Sequence, residues 1–358
     1  MKRPLKRLLR RLAILVAVYL AAEAVSAAAY GWFIDAPTQE AIRDIRGPYG
    51  QVLGPAGLVP HPYSLSQLRP DYVDAAGIRQ TNRLGWRGRE FAQEKPPGVL
   101  RVVCVGGSTT YGIGAVRPDD AWPVQLEASL NRPRPPLDTR HSTLDTRFEV
   151  LNCGIPRASS AEIFGTVAFR VIHLKPDLIV LSVGLEDVNA LLAPDYRPDY
   201  THWRQSWIAP AYGRTTRRLL ASPLYRLLFI AFTLPAASDF DFQYRPDPSW
   251  DNPVVGQVPH RDPVGFRRNV ENTLIITRGR GIPVLLVGEP ADRPYPQVQW
   301  TLDAQRAILR DLSTTYGAPL CAFNDGETVD PGRVAQAIRD SRLLSPLATR
   351  PSARYNRQ

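Results

Sequence analysis

The run Leu178–Val183, reading LIVLSV, constrains the chain more than any other feature. Five of its six residues are apolar, so it offers no polar face to water. A strand of this kind needs cover on both sides, as at the centre of a parallel sheet. Other short apolar runs recur at Arg101–Val105, Phe148–Leu151, Ile282–Val287 and Pro319–Phe323. Between them lie helical stretches at Ala121–Leu130, Ser159–Leu174, Val264–Gly279 and Val298–Tyr316. In the last, Trp300, Ala304, Ile308 and Leu312 recur every four residues and mark an apolar face. Asp330 is placed to cap a final helix, with Pro331 at its first position. This alternation predicts a three-layer α/β domain over residues 98–345.

The chain has 358 residues, 44% hydrophobic and 22% charged, enough for one large domain or two modest ones. Its 34 prolines predict long loops. Residues 191–261 interrupt the strand–helix rhythm as an insertion rich in Pro, Tyr, Trp and Arg. Inside it, Thr215–Leu234 is a predicted helix with an apolar second half, able to pack on the core or lie near a membrane. In residues 35–97 no periodicity marks a long helix, and the segment is expected to wrap over the main domain. Residues 346–358 form a tail.

Residues 12–34 are mostly apolar and long enough to cross a bilayer. The preceding segment, residues 1–11, carries Lys2, Arg3, Lys6, Arg7, Arg10 and Arg11. A basic flank before a span predicts an inside amino terminus and an exported body. The expectation is a single-pass anchor in a bacterial inner membrane, with the main domain in the periplasm and the bilayer as partner of residues 12–34. The rival is a signal peptide cleaved near Ala27–Ala29. Trp32 and Phe33 suit an interfacial belt. Glu23 is costly in lipid unless it lies near an interface or has a partner.

The formal charge is +10, and the six basic residues ahead of the apolar run account for much of it. The rest shows no aromatic–basic interleaving, which argues against nucleic acid as a partner. Cys104, Cys153 and Cys321 have no metal spacing and sit in or beside apolar runs, as small core residues do. A bond between Cys104 and Cys153 is conceivable if their strands are neighbours. The five histidines are scattered, so no metal centre or other cofactor is expected.

The stretch Leu100–Gly114, LRVVCVGGSTTYGIG, runs from a short strand into Gly106, Gly107 and Ser108. Glycines there permit a tight turn that exposes a hydroxyl at a sheet's edge. The lysine of a P-loop and the spacing of a dinucleotide loop are both lacking.

With these blocks together, the chain resembles the SGNH/GDSL hydrolase superfamily, especially its membrane-anchored bacterial members. Asn82, Gly85, Arg87 and Gly88 match an N-x-x-G-x-R-G segment before the first strand. Gly106–Gly107–Ser108 matches the nucleophile block, and Asn152–Cys153–Gly154 the N-x-G after strand two. Gly184–Leu185–Glu186–Asp187 stands where G-x-N-D is usual. The closing D-x-x-H falls on Asp325–Gly326–Glu327–Thr328. The resemblance implies a three-layer α/β/α fold with a parallel, flavodoxin-like sheet of SGNH type, beside the amino-terminal transmembrane helix. It also implies Ser108 as nucleophile, the Ser108 and Gly154 N–H groups as oxyanion donors, and Asp325 as the acid of the final block.

Two positions depart from that pattern. Glu186 replaces the oxyanion asparagine, and an ionised carboxylate only accepts hydrogen bonds. Thr328 replaces the general-base histidine, without which a serine is a poor nucleophile. Asp199–Tyr200–Thr201–His202 repeats the D-x-x-H spacing within the insertion, making His202 a substitute base; His260 is a second candidate. Two readings follow. One is a non-catalytic, membrane-anchored binding or assembly subunit of an envelope or integral membrane complex, or of glycan-modifying machinery. The other is a serine esterase, deacetylase or acyltransferase acting on acyl groups of envelope glycans or lipids.

Overall fold

The computed structural model describes residues 2–47, 57–132 except 75, 147–203 except 194, 212–234, 260–290 and 299–344 except 342. His141, the tail and most of the insertion's second half lie outside these residues. The chain divides into two compact units, one of residues 1–55 and 206–243, the other of 56–205 and 244–358.

In the first unit, α1 (Lys2–Phe33) takes the basic flank and the apolar run into one helix. Its stretch Leu5–Phe33 is long and apolar enough to cross a membrane. After α1, Asp35 precedes α2 (Ala36–Arg46), with Pro37 in its first turn. The rest of this unit comes from the insertion and is taken up below.

The second unit opens with a hairpin of β1 (Leu58–His61) and β2 (Leu65–Leu68), paired antiparallel. Then come β3 (Val99–Gly106), the single-turn α3 (Ser108–Tyr111), α4 (Trp122–Leu130), β4 (Arg147–Gly154) and α5 (Ser160–Phe169). Ser159 and Glu162 form a capping box at the start of α5. The expected helix through Leu174 instead ends at Phe169 and continues as a separate 3₁₀ turn over Val171–Leu174. Next are β5 (Leu178–Val183) and α6 (Asp187–Leu192).

Insertion residues 206–243 return to the first unit, giving α7 (Arg214–Leu219) and α8 (Pro223–Phe232). These replace the single helix expected over Thr215–Leu234. Ser222 accepts from the Tyr225 N–H and Pro223 takes a first-turn position, so the sequence caps a new helix there. The second unit then resumes with α9 (Val264–Gly279), β6 (Val284–Gly288), α10 (Gln299–Tyr316), β7 (Leu320–Ala322) and α11 (Pro331–Asp340). Asp330 accepts from the Gly332 and Arg333 N–H groups, as its cap position predicts.

All five strands β3–β7 are parallel, in the order β4-β3-β5-β6-β7. Numbered within the sheet this is 2-1-3-4-5, the flavodoxin-like arrangement. Every residue of β5 is buried, as its unbroken apolar run requires. Alternate residues of a strand face opposite ways. Val102 and Cys104 of β3 therefore share one face with Val150, Val180, Leu285 and Val287. Trp122 and Leu126 of α4 and Val334 and Ile338 of α11 cover that face. Helices α5, α9 and α10 pack one on the next in a second layer. Cys104, Cys153 and Cys321 are free, buried thiols, although β3 and β4 are indeed neighbours.

At the amino end of β3, Arg101 is wholly buried. Its guanidinium donates to Glu149 at 2.7 Å and to the carbonyls of Ala92, Gln93 and Leu174 at 2.7–3.0 Å. Its N–H donates to Asp177, whose carboxylate also holds Lys95. This network fastens the segment before β3 to the sheet, so that residues 92–95 lie against the main domain.

Candidate active site

Ser108 begins α3 directly off the carboxyl end of β3, with Gly107 as cap. The turn is crowded on all sides. A Cβ on Gly107 would lie 2.8 Å from Glu186 Cγ and 3.0 Å from the Ala158 carbonyl. A Cβ on Gly154 would collide with the backbone at Thr110 and Tyr111. Gly106 and Gly154 are paired across β3 and β4, so the second and third blocks meet in space. The N-x-x-G-x-R-G segment buttresses the same turn. Asn82 Oδ1 accepts from the Leu84 and Trp86 N–H groups at 3.0 Å, and Gly85 takes a left-handed φ of 72°. Arg87 is thereby laid over the Tyr111 ring, 4.1 Å from its centroid, and donates to the Ala115 carbonyl.

The fold is SGNH-like. Its Gly106–Gly107–Ser108 turn, N-x-G strand end and five-stranded parallel order stand together in one unit. No family model matches the chain, and no curated protein does. Solved structures similar to it include a lipolytic protein of the G-D-S-L family from Desulfitobacterium hafniense DCB-2. That similarity has 13% identity and a TM-score of 0.35, covering 68% of this chain and 99% of that one. The SGNH-family esterase AlinE4 is similar at 15% identity and a TM-score of 0.35, covering 74% and 87%. A catalytic mutant of an acetylxylan esterase from Geobacillus stearothermophilus is similar at 12% and 0.34, covering 72% and 97%. At these identities and TM-scores the likenesses carry no weight for activity.

The hydrogen bonds around Ser108 are closed. Its hydroxyl donates to Glu186 Oε1 and accepts from the Arg157 N–H at 3.0 Å. Its own N–H donates to the same Glu186 oxygen at 3.3 Å. The Gly154 N–H donates to Asn152 Oδ1 at 3.0 Å. Both backbone donors that an oxyanion would use therefore already face internal acceptors. If Ser108 acted as the resemblance implies, Glu186 would lie beside the developing negative charge, and an ionised carboxylate there would oppose it.

The final block lies in other contacts. Asp325 is ion-paired with Arg306 and accepts from Gln299 Nε2 at 3.4 Å. Thr328 is exposed. The backbone N–H of Arg197 donates to His202 Nδ1 at 3.1 Å, and His202 Nε2 lies 2.8 Å from the Ala190 carbonyl. Both ring nitrogens are thus engaged, with Nε2 carrying the proton, and burial lowers the ring's pKa. His260 stacks on Trp300 at 4.5 Å, and His61 Nδ1 accepts from Ser64. Among the described residues, no hydrogen bond joins Ser108 to a histidine.

Glu289, which directly follows β6, stands outside every block that the sequence marks. It is buried and accepts from Ser182 Oγ at 2.9 Å and from the Leu185 N–H at 3.1 Å. Burial pushes its carboxyl up to about 7, helped by repulsion from Glu186 and Asp187. Asp187 is buried too, held by the Ser160 N–H and hydroxyl and by the Tyr200 hydroxyl, and burial pushes it up to about 7. The one signal for Glu289 in the sequence is a carboxylate placed at a buried strand's carboxyl end. Among the described residues, no group of three or more His, Cys, Asp or Glu could hold a metal ion.

Proposed function

We propose that this is a membrane-anchored, non-catalytic SGNH-like protein, acting as a binding or assembly subunit of an envelope or integral membrane complex. Helix α1 is its single-pass anchor in a bacterial inner membrane, with the amino terminus inside and the second unit in the periplasm. The observation that carries the non-catalytic reading is Glu186, whose carboxylate takes both the N–H and the hydroxyl of Ser108. In an esterase that N–H stabilises the oxyanion, and losing one such donor costs roughly 2.7–4 kcal/mol of barrier. Asp325, paired with Arg306, supports the same reading, as does the exposed Thr328 in the histidine's place.

The second reading keeps the fold's chemistry: an esterase, deacetylase or acyltransferase in which Glu186 takes the Ser108 proton. One observation favours it, the direct hydroxyl–carboxylate contact. Turnover of aryl acetates by the full chain in detergent separates the two. The proposal expects hydrolysis at the rate of Ser108→Ala. A rate lost on that substitution would install the esterase reading in its place.

A further inference from the structure

Helix α1 is longer than a bilayer needs. The candidate span Leu5–Phe33 has 29 residues, with Lys6, Arg7, Arg10 and Arg11 in its first two turns. At about 1.5 Å per residue that is roughly 44 Å, against a hydrocarbon core of about 30 Å. One end therefore leaves the lipid, and the burial pattern says which. From Leu5 to Ala21 every residue is exposed, whichever way it faces. From Ala22 on, one side is covered: Ala22, Glu23, Ala29 and Tyr30 are partly buried and Ser26 is buried. The bare stretch, roughly 17 residues or about 26 Å long, suits a span with Lys6, Arg7, Arg10 and Arg11 reaching back to the headgroups.

Glu23 stands at the changeover. It accepts from the Ser222 hydroxyl and from the Leu224 N–H at 3.2 Å, at the start of α8. Further along, Arg226 lies over the Tyr30 ring at 5.1 Å. Helix α8 therefore runs beside α1 in the same direction, away from the bare stretch. The turn Leu219–Ser222 is then the end of this bundle nearest the bare stretch. It is fixed from within: Leu220 is buried with Ala41, Ile42 and Ile45, and Arg226 donates to the Leu220 and Ala221 carbonyls. Arg217 donates to the Gly47 carbonyl. Left outside are the apolar Leu219, 47% exposed, and the exposed Arg214 and Arg218.

We propose that the α7–α8 turn is a foot resting on the phospholipid surface where α1 emerges. Leu219 enters the headgroup–acyl boundary, and Arg214 and Arg218 take headgroup phosphates. Two observations select lipid as the occupant: the patch joins arginines to an apolar tip, and it adjoins the lipid-crossing part of α1. Glu23 then lies at the interface, with partners, rather than in hydrocarbon. This rests on the reading of α1 as a span.

The test uses the full chain in vesicles of phosphatidylcholine and phosphatidylglycerol, with nitroxide labels at Leu219→Cys, Val16→Cys or Phe232→Cys. The native thiols are buried. Collisions with oxygen and with a water-soluble nickel chelate report depth. The label at 219 should show nickel collisions at least about fivefold below those at 232, and that at 16 should lie deepest. Arg214→Glu with Arg218→Glu should raise nickel access at 219 several-fold without moving the label at 16. A water-exposed label at 219 beside a lipid-buried one at 16 overturns the foot but not the anchor. Water access at both positions overturns the anchor itself. A label at 232 deeper than that at 219 overturns the proposed direction, and protection at 219 from both probes would mean a protein covers the turn.

Discussion

Strand β3 carries a closed polar network at each end. At the amino end, the buried Arg101 is held by Glu149 and three backbone carbonyls. At the carboxyl end, Ser108 is held by Glu186 and the Arg157 N–H, and the neighbouring Gly154 N–H by Asn152. The first network has a plain structural task, fastening the segment before β3 to the sheet. The second sits where a hydrolase of this fold would leave donors free for a transition state, yet it is closed in the same manner. Under the non-catalytic proposal, closure of this kind stabilises the fold while occupying the donors that a transition state would use.

Substitutions at the two ends should differ in size. Arg101→Met should cost the most, about 3–5 kcal/mol, because it strands Glu149 and three carbonyls away from their donor. Urea unfolding of the full chain in detergent measures this, and a cost under about 1 kcal/mol would remove the structural role assigned to the amino end.

Next in size is a pH effect beside the carboxyl end. Glu289 titrates near 7 in the folded chain, against an ordinary 4.5. Between those values the unfolded chain gives up its proton first, so folding weakens as pH rises from about 4.5 to 7 and stays weaker above. At roughly 1.4 kcal/mol per pH unit, the Glu289 share is on the order of 3 kcal/mol, and Asp187 acts in the same direction. Glu289→Gln should flatten the fall in unfolding midpoint between pH 5 and 8. An unchanged slope would show that Glu289 is not the group responsible.

The smallest expected effect is that of Glu186→Gln, a loss of about 1–2 kcal/mol as Ser108 trades a charged acceptor for a neutral one. A stabilisation instead would mark the carboxyl end as a strained functional site, where activity is kept at the expense of stability.

The sheet was legible from the sequence because its signal is local. Runs such as LIVLSV must be buried on both faces wherever they fall, and Asp330–Pro331 names a helix start without help from the rest of the chain. The break between α7 and α8 was local too: Ser222–Pro223 carries a cap and a first-turn proline, signals that the apolar run through Leu234 masked. The site was legible only as positions. Sequence placed Ser108, Gly154 and Glu186 in their blocks and implied that Glu186 would oppose an oxyanion. It could not show Glu186 accepting from the Ser108 hydroxyl, because that contact joins residues 78 apart through the pairing of β3 with β5. Arg101 and Glu289 carry little local signal for the same reason: each owes its burial to partners distant in the chain. His202 kept the right spacing, but spacing alone does not tell which atoms its ring nitrogens meet.

Ser108 is, on the non-catalytic proposal, held unreactive by its own surroundings. The most direct test is the mass of the intact, folded chain after hours with excess serine-directed fluorophosphonate. The expected mass is that of the unmodified chain. An adduct mapped to Ser108, and absent from Ser108→Ala, would contradict the proposal.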